Sequence, residues 1–221
     1  MEDSPSKEAS IARTPEEFAL SRVREIDVSG ILFYVTTTDC LERIFKHGIV
    51  SENHAKKMGM PYEMRWKDHS NPDYVYIGIN KVDKRAKFGD LEKFAIQISH
   101  PKDAERIVVL ILDDKLGENS EKSEWESERL VRDRISPQYI IGIAVGGSME
   151  PAIYDYLPQR ETITSLTSDK LLIDGLKDSV LQIMEDSFGN NTESFLPIYG
   201  FKGNLLWPAE MNYKGIAHFA S

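Results

Sequence analysis

Short runs of β-branched and aromatic residues fill the middle of the chain and limit what it can fold into. Such residues favour strands over helices. A segment with helical periodicity follows the first run, and another follows the last. The order of strand, helix, several strands and helix predicts an α+β fold with a mostly antiparallel sheet. The predicted strands are residues 31–37, 73–79, 93–99, 106–112, 127–131 and 139–145.

Both predicted helices carry start or stop signals. Asp39 followed by Glu42 has the spacing of a capping box, and Gly48 is a stop signal. The second helix begins near Ser168 and stops at Gly189. Each has apolar residues at helical spacing: Leu41, Ile44 and Phe45 in the first, and Leu171, Leu172, Leu176, Val180, Ile183 and Met184 in the second.

The chain of 221 residues, 41% hydrophobic, is long enough for one domain with a substantial core. Residues 1–27 are predicted to be a flexible tail that runs into a short helix starting at Thr14 and Pro15. Residues 28–221 then form a single domain with a C-terminal helical extension. We expect the aromatic residues of the C-terminal segment, Trp207, Tyr213 and Phe219, to dock on the core.

Charge and cysteine content narrow the environment and the partners. The net charge of -9 disfavours non-specific binding to nucleic acid, so a nucleic-acid substrate would need a local basic patch. Cys40 is the single cysteine, which excludes an intramolecular disulfide and favours a reducing, cytoplasmic compartment. No apolar run approaches the roughly 20 residues that span a bilayer, so no membrane partner is expected.

Several common sites are absent from the sequence. It contains no P-loop, no GxGxxG and no CxxC pair, and its histidines lack metal-ligand spacing. No metal is therefore expected. The acidic stretch 113–124 reads as a solvated connection.

Residues 51–72 mix basic and aromatic side chains with weak periodicity, which indicates a long loop or a broken helix. Lysines and arginines suit phosphates, and aromatic rings suit stacked bases. We expect this segment to border a cofactor or an acceptor. The side chains that suggest this are Lys56, Lys57, Tyr62, Arg65 and Trp66.

Glu126 and Glu128 lie two residues apart in the strand predicted around residues 127–131. Alternate residues of a strand point to the same face, so these two like charges face either solvent or a cationic ligand.

Three segments together resemble the DarT-type DNA ADP-ribosyltransferases. They are "LFYVTTTDCLERIFKHGIV", "DYVYIGI" and "SERLVRDRISPQYIIGIAV", and they span residues 31–146. The resemblance implies an ADP-ribosyltransferase-like fold with a split, mostly antiparallel sheet and flanking helices. It implies mono-ADP-ribosyl transfer from NAD+, a glycosyl transfer, to a nucleic-acid base or another macromolecular acceptor such as a protein. A toxin role with an antitoxin or immunity partner would follow.

The resemblance also assigns residues. Glu128 falls on the catalytic glutamate, Glu126 is its neighbour on the same face, and Arg65 is the candidate for the catalytic arginine. The cofactor-binding positions fall on Tyr34, Thr36, Cys40 and Tyr74. The sequence departs from the family at two of these, with Tyr34 in place of histidine and Cys40 in place of asparagine.

The reaction that the resemblance implies is consistent with carboxylates on one face of a strand. Cleavage of the nicotinamide glycosidic bond passes through a cationic, oxocarbenium-like state that a carboxylate such as Glu128 stabilises. Glu126 could orient the nucleophile, an arginine could hold the pyrophosphate, and a tyrosine could stack on the nicotinamide ring.

Plainer interpretations stand beside these. Glu128 would be a solvated strand residue, Tyr34 and Tyr74 core aromatics, Arg65 a surface ion-pair partner and Cys40 a buried filler. At the level of function, one alternative is a non-catalytic binding module on the same fold, suggested by the two departures. Another is a relative of the RNA 2′-phosphotransferases, which would need several basic phosphate ligands near the motifs.

Overall fold

The computed structural model describes residues 13–23, 31–61, 71–79, 106–124, 128–146, 170–201 and 204–208. Two single turns of 3-10 helix occur at Pro137–Tyr139 and Thr192–Ser194. The helices are α1 (Pro15–Val23), α2 (Thr38–His47), α3 (Glu52–Lys57), α4 (Lys115–Glu118) and α5 (Lys170–Phe188). The strands are β1 (Leu32–Thr37), β2 (Ile49–Val50), β3 (Tyr74–Ile79), β4 (Ile107–Leu112), β5 (Glu121–Lys122), β6 (Glu128–Arg132), β7 (Arg134–Ile135), β8 (Ile140–Val145), β9 (Ile198–Gly200) and β10 (Leu205–Trp207).

Eight strands form one sheet in the order β10, β9, β8, β4, β1, β3, β6, β5. β8 and β9 run parallel, and the other neighbouring strands run antiparallel. β2 and β7 pair in a separate two-stranded sheet. The large, mostly antiparallel sheet with flanking helices that the sequence predicts is therefore confirmed.

The pattern of β-branched residues located the five longer strands of the described part of the chain, β1, β3, β4, β6 and β8. The strands predicted to start at residues 31, 73, 106, 127 and 139 each begin one residue later in the structure. The strand predicted at residues 93–99 lies outside the described residues.

One face of the sheet is covered by α2 and α5 and holds the larger core; we call it the helix face. Leu110 and Ile143 from the sheet pack there in one buried cluster with Leu41, Val180 and Met184 from the two helices. Burial of a side chain of this size contributes about 1.5–3 kcal/mol. The apolar stripe predicted for the second helix thus faces the core at its described positions.

The opposite face, which we call the second face, carries a smaller core. Phe33, Val109 and Ala144 alternate with the helix-face residues and cluster with Tyr199 and Phe201. Val23 at the end of α1 packs against this cluster. Two cores on opposite faces explain why β4 is buried along its whole length.

α1 begins as the sequence predicts. The Thr14 hydroxyl accepts from the Glu17 N–H, and a Glu17 carboxylate oxygen accepts from the Thr14 N–H. This is a reciprocal capping box. Ala19 is fully buried, so the helix is docked on the domain.

The capping box predicted at Asp39 and Glu42 is wrong. β1 runs directly into α2, so the N-cap is Thr37, whose side chain makes no capping hydrogen bond. Asp39 therefore lies inside the first turn, where it pairs with Arg106 of the neighbouring segment. A helix that starts straight from a strand shifts the cap to the last strand residue, two positions before the predicted one.

The stretch 113–124 is more than the solvated connection that its acidity suggests. It contains α4, whose Leu116 is buried in the larger core, and β5, which adds an edge strand to the sheet. Leu116 is a single apolar residue among many charged ones, so the sequence of this stretch shows no periodic pattern, although Leu116 anchors it.

α2 ends at Gly48, which has φ 82° and ψ -178°. This combination is essentially restricted to glycine. A Cβ at Gly48 would lie 2.1 Å from the Ile135 carbonyl oxygen, whereas one at Gly189, which also has a positive φ, would meet nothing within 4 Å.

We therefore predict that Gly48→Ala lowers the free energy of unfolding by about 2–5 kcal/mol, through backbone strain and steric overlap. Gly189→Ala is the matched control and should cost about 1–2 kcal/mol. Urea unfolding measures both. Equal losses for the two variants would contradict the close packing of Gly48 against β7.

Candidate functional site

The three strands that carry the sequence motifs are neighbours in the sheet, with β3 between β1 and β6. The β1–β3 ladder consists of two residue pairs, Leu32–Ile79 and Phe33–Gly78. By contrast, β1 pairs with β4 as far as Thr37, and β3 pairs with β6 from Tyr74 onward. The sheet therefore opens between the second half of β1 and the first half of β3. We call this opening the split.

The β3–β6 side of the split is fixed by a small hydrogen-bond network. The Asn53 side chain donates to Asp73 Oδ1 (2.8 Å), and the Asp133 N–H donates to the Asp73 carbonyl (2.8 Å). The Ser51 N–H in turn donates to the Asp133 carbonyl, and the Ser51 hydroxyl caps α3. These bonds join the start of α3 to the start of β3 and the end of β6.

Register shows which side chains share a face. Residues paired across strands point the same way. Phe33, Gly78 and Glu128 form one row across β1, β3 and β6. Because Phe33 belongs to the second face, Glu128 lies there too.

Glu128 is half-buried and has a defined neighbour on each side. The Ser123 hydroxyl donates to its Oε2 (3.2 Å) from the neighbouring edge strand region. On its other side Gly78 has no side chain, and the far end of the Phe33 ring occupies the place that a Cβ would take, 2.2 Å from it. The carboxylate thus stands beside a glycine covered by the buried Phe33 ring, with one oxygen held by a hydroxyl.

The next rows of the same face carry two tyrosines. Tyr76 pairs with Leu130, which pairs with Glu121 of β5, and Tyr74 pairs with Arg132. Tyr74 therefore shares the face of Glu128.

Tyr74 is tied to an acid that the sequence motifs did not single out. Its hydroxyl donates to both carboxylate oxygens of Glu121 (3.1 and 3.2 Å). This hydrogen bond, with some burial and the negative charge itself, raises the pKa of Tyr74. The Tyr76 hydroxyl is also engaged, because it accepts from the Asn71 N–H (2.5 Å).

Tyr34 and Thr36 are one and three residues from Phe33 along β1, so their side chains lie on the helix face. Tyr34 packs against the larger core, and Thr36 is buried. Strand spacing puts the Cα atoms of Phe33 and Glu128, in the same row, about 10 Å apart. The structure thus places Glu128 and Tyr74 on one face, two rows apart, and separates both from Tyr34 and Thr36 by the thickness of the sheet.

Cys40 lies with the helix-face group, at the first turn of α2, where it packs against the larger core. Its Sγ accepts from the Thr37 hydroxyl and from the Arg43 guanidinium, each at 3.7 Å. Arg43 also donates to the Pro61 carbonyl (2.6 Å), so it links α2 to the segment after α3.

Arg65 and Glu126 lie outside the described residues, as do Tyr62, Trp66, Tyr213 and Phe219. In the described part of the predicted loop, Lys56 pairs with Glu52 (2.5 Å) one turn earlier on α3. Trp207 packs at the edge of the larger core.

Sequence reasoning missed Phe33, Gly78, Glu121 and Ser123. Their roles come from register, which places them beside Glu128 or Tyr74. A glycine inside a strand is the one local signal, since it marks a close approach by another group.

A separate groove of about 400 Å³ lies between α2 and α5, away from the second face. It holds none of the predicted site residues. Among the described residues, no helix is long and apolar enough to cross a membrane, and no group of three or more His, Cys, Asp or Glu side chains is arranged to hold a metal. The groove is lined by Thr38, Asp39, Glu42, Ser179, Gln182 and Ile183.

The geometry defines a class of protein: a mixed α/β domain whose split, mostly antiparallel sheet presents a half-buried glutamate beside the split. No protein-family model matches the sequence, and no curated protein matches it. Among solved structures, the chain is similar to "Thermosipho africanus DarTG in complex with ADP-ribose", with a TM-score of 0.41 and 11% identity. The match covers 77% of this chain and 49% of that one, so this chain spans about half the length of the protein it matches. A likeness of this size is a distant structural relationship.

The Tyr74–Glu121 contact gives a prediction for pH. Glu121→Gln removes the carboxylate that Tyr74 faces and should lower the Tyr74 pKa towards its ordinary value; Asp73 acts in the same direction as Glu121, and Arg132 opposes both. Because the folded-state pKa is the raised one, the stabilisation is fully present at neutral pH. It is lost as the pH rises from the unfolded-state pKa through the folded one.

NMR titration of ring-labelled tyrosine measures this pKa. Glu118→Gln, at an exposed position of α4, is the control and should leave it unchanged. A Tyr74 pKa that stays the same in Glu121→Gln would show that the hydrogen bond does not form in solution.

Proposed function

We propose that this protein is an NAD+-dependent mono-ADP-ribosyltransferase, with NAD+ bound at the split and Glu128 as the catalytic carboxylate. The observation that carries the proposal is the row Phe33–Gly78–Glu128. It places a half-buried carboxylate in the row of Phe33 and Gly78, the last residue pair before β1 and β3 separate.

The bond at Ser123 suits this role. With Oε2 accepting from the Ser123 hydroxyl, Oε1 is left to face the ribose of NAD+. A carboxylate fixed in this way can bond the ribose 2′-OH and stabilise the positive charge that develops as nicotinamide leaves. The fixed orientation means that little rearrangement is needed when that charge appears.

The tyrosines of β3 suit a flat ligand group. Tyr76 and Tyr74 follow Gly78 along β3 on the face of Glu128, and both are half-buried. Aromatic rings stack on the cationic nicotinamide ring. Tyr74 is therefore the candidate contact for the nicotinamide end of NAD+, whereas the Phe33 ring is buried in the smaller core.

In this proposal Tyr34, Thr36 and Cys40 act from the helix face. NAD+ would pass through the split, with its nicotinamide ribose at Glu128 and its remaining half beside Thr36 and the first turn of α2. Arg65 would hold the pyrophosphate, and Glu126 would orient the acceptor nucleophile. NAD+ serves as co-substrate, and no step needs a metal.

The second candidate function is a non-catalytic binding module on the same fold. Tyr34 and Glu128 point to opposite faces of the sheet. This arrangement favours the binding module, because the two side chains cannot contact one ribose on a single face. Calorimetric titration with NAD+ separates the two functions: heat of binding supports the transferase, and its absence with a folded protein supports the module.

We predict that Glu128→Gln abolishes ADP-ribosyl transfer while NAD+ still binds. The amide keeps the shape and one acceptor oxygen but loses the charge that the cationic transition state requires, so the loss falls on the rate. Removing one such contact costs on the order of 10²–10³ in rate.

NAD+ hydrolysis and transfer are followed by mass spectrometry, with calorimetric NAD+ binding in parallel. Glu118→Gln makes the same chemical change at an exposed helix position and should keep the wild-type rate. Glu126→Gln should reduce transfer more than hydrolysis. A wild-type rate in Glu128→Gln would remove β6 from the catalytic site.

A further inference from the structure

Beyond Glu128, the second face of β3, β6 and β5 forms an open surface of aromatic and acidic side chains. We call Tyr74, Tyr76, Leu130 and Glu121 the tyrosine face. The two tyrosines and Leu130 are half-buried, and Glu121 is exposed. The surface is therefore accessible, and it combines flat rings with negative charge.

The negative charges on this side of the sheet have no cationic partner among the described residues. Glu121 accepts from the neutral Tyr74 hydroxyl, and Glu128 from that of Ser123. Lys122 and Arg129 pair with each other across β5 and β6, and so they point to the opposite face. Register puts Glu121 and Glu128 in a diagonal relation, about 7–8 Å apart at their Cα atoms.

Among the described residues of this side, the basic one is Arg132, which lies opposite Tyr74 and two residues from Leu130 along β6. Glu128 lies two residues from Leu130 in the other direction, and Glu121 pairs with Leu130 directly. A cation over Leu130 therefore meets two carboxylates, that of Glu121 directly opposite, against the one guanidinium of Arg132.

We propose that the tyrosine face docks an arginine-bearing segment of a polypeptide partner. A guanidinium lying over Leu130 is flanked by the Tyr76 ring on one strand and the Glu121 carboxylate on the other. Guanidinium stacks on aromatic faces and bonds carboxylates in a bidentate manner, and ammonium does neither as well. The combination selects arginine over lysine.

Two further observations favour a polypeptide over a nucleic acid as the partner. β5 ends the sheet order, so the described sheet has an unpaired edge beside Glu121 where an extended segment can add backbone hydrogen bonds. Phosphate backbones are disfavoured, since the face is acidic and the whole chain carries a net charge of -9.

The experiment measures binding of a short fluorescein-labelled peptide of arginine, glycine and serine to the full chain by fluorescence anisotropy. Matched probes replace arginine by lysine or by glutamate, and a single-stranded oligonucleotide of similar length tests the nucleic-acid alternative. The arginine peptide should bind most tightly, and its affinity should fall with salt.

Glu121→Gln and Tyr76→Ala should each weaken that binding roughly 5- to 30-fold. Tyr76→Phe keeps the ring and should keep the affinity. Lys122→Gln alters the next residue of β5 on the opposite face and should change nothing. Glu121 is exposed, so its variant is expected to fold, and circular dichroism verifies this.

Wild-type affinity in Glu121→Gln, equal binding of the lysine peptide, or tighter binding of the oligonucleotide would each overturn the proposal. NAD+ calorimetry on the same variants keeps the two proposals apart. If a variant loses peptide binding but still binds NAD+, the tyrosine face serves the partner alone, whatever the result for Glu128→Gln.

Discussion

The short ladder between β1 and β3 is the constraint on which the arrangement of this protein depends. Two residue pairs hold the strands together, and the Phe33 ring lies over Gly78 at the second of them. Any side chain at Gly78 would overlap that ring. The glycine therefore lets β1 and β3 pair with Phe33 folded across them, and beyond this point the strands separate, which opens the sheet beside Glu128.

The alternation of side chains along the strands divides the polar residues between the two faces. Tyr34, Thr36 and Cys40 lie towards α2, among apolar residues of the larger core. Glu128, Tyr74 and Tyr76 lie on the other side, where Ser123 and Glu121 supply polar partners. A ligand that engages both groups has to occupy the split, whereas a partner that uses one group binds a single face.

Local patterns in the sequence predicted the five longer strands, α2, α5 and the start of α1, because β-branched runs, apolar periodicity and turn residues act over a few positions. The strands of two or three residues, β2, β5, β7, β9 and β10, were missed. Local patterns could not predict register, since pairing is decided by contacts between distant segments. The sequence therefore suggested Tyr34 as the neighbour of Glu128. In the structure, the β1 residue in the row of Glu128 is Phe33. Glu121 was hidden for a different reason: β5 has two residues and sits in an acidic stretch.

A crystal structure of the protein with NAD+ tests the central claim most directly. The account predicts that NAD+ lies in the split between β1 and β3, with a ribose hydroxyl within hydrogen-bonding distance of the Glu128 carboxylate. NAD+ bound elsewhere, for example in the groove between α2 and α5, with Glu128 facing solvent, would contradict it.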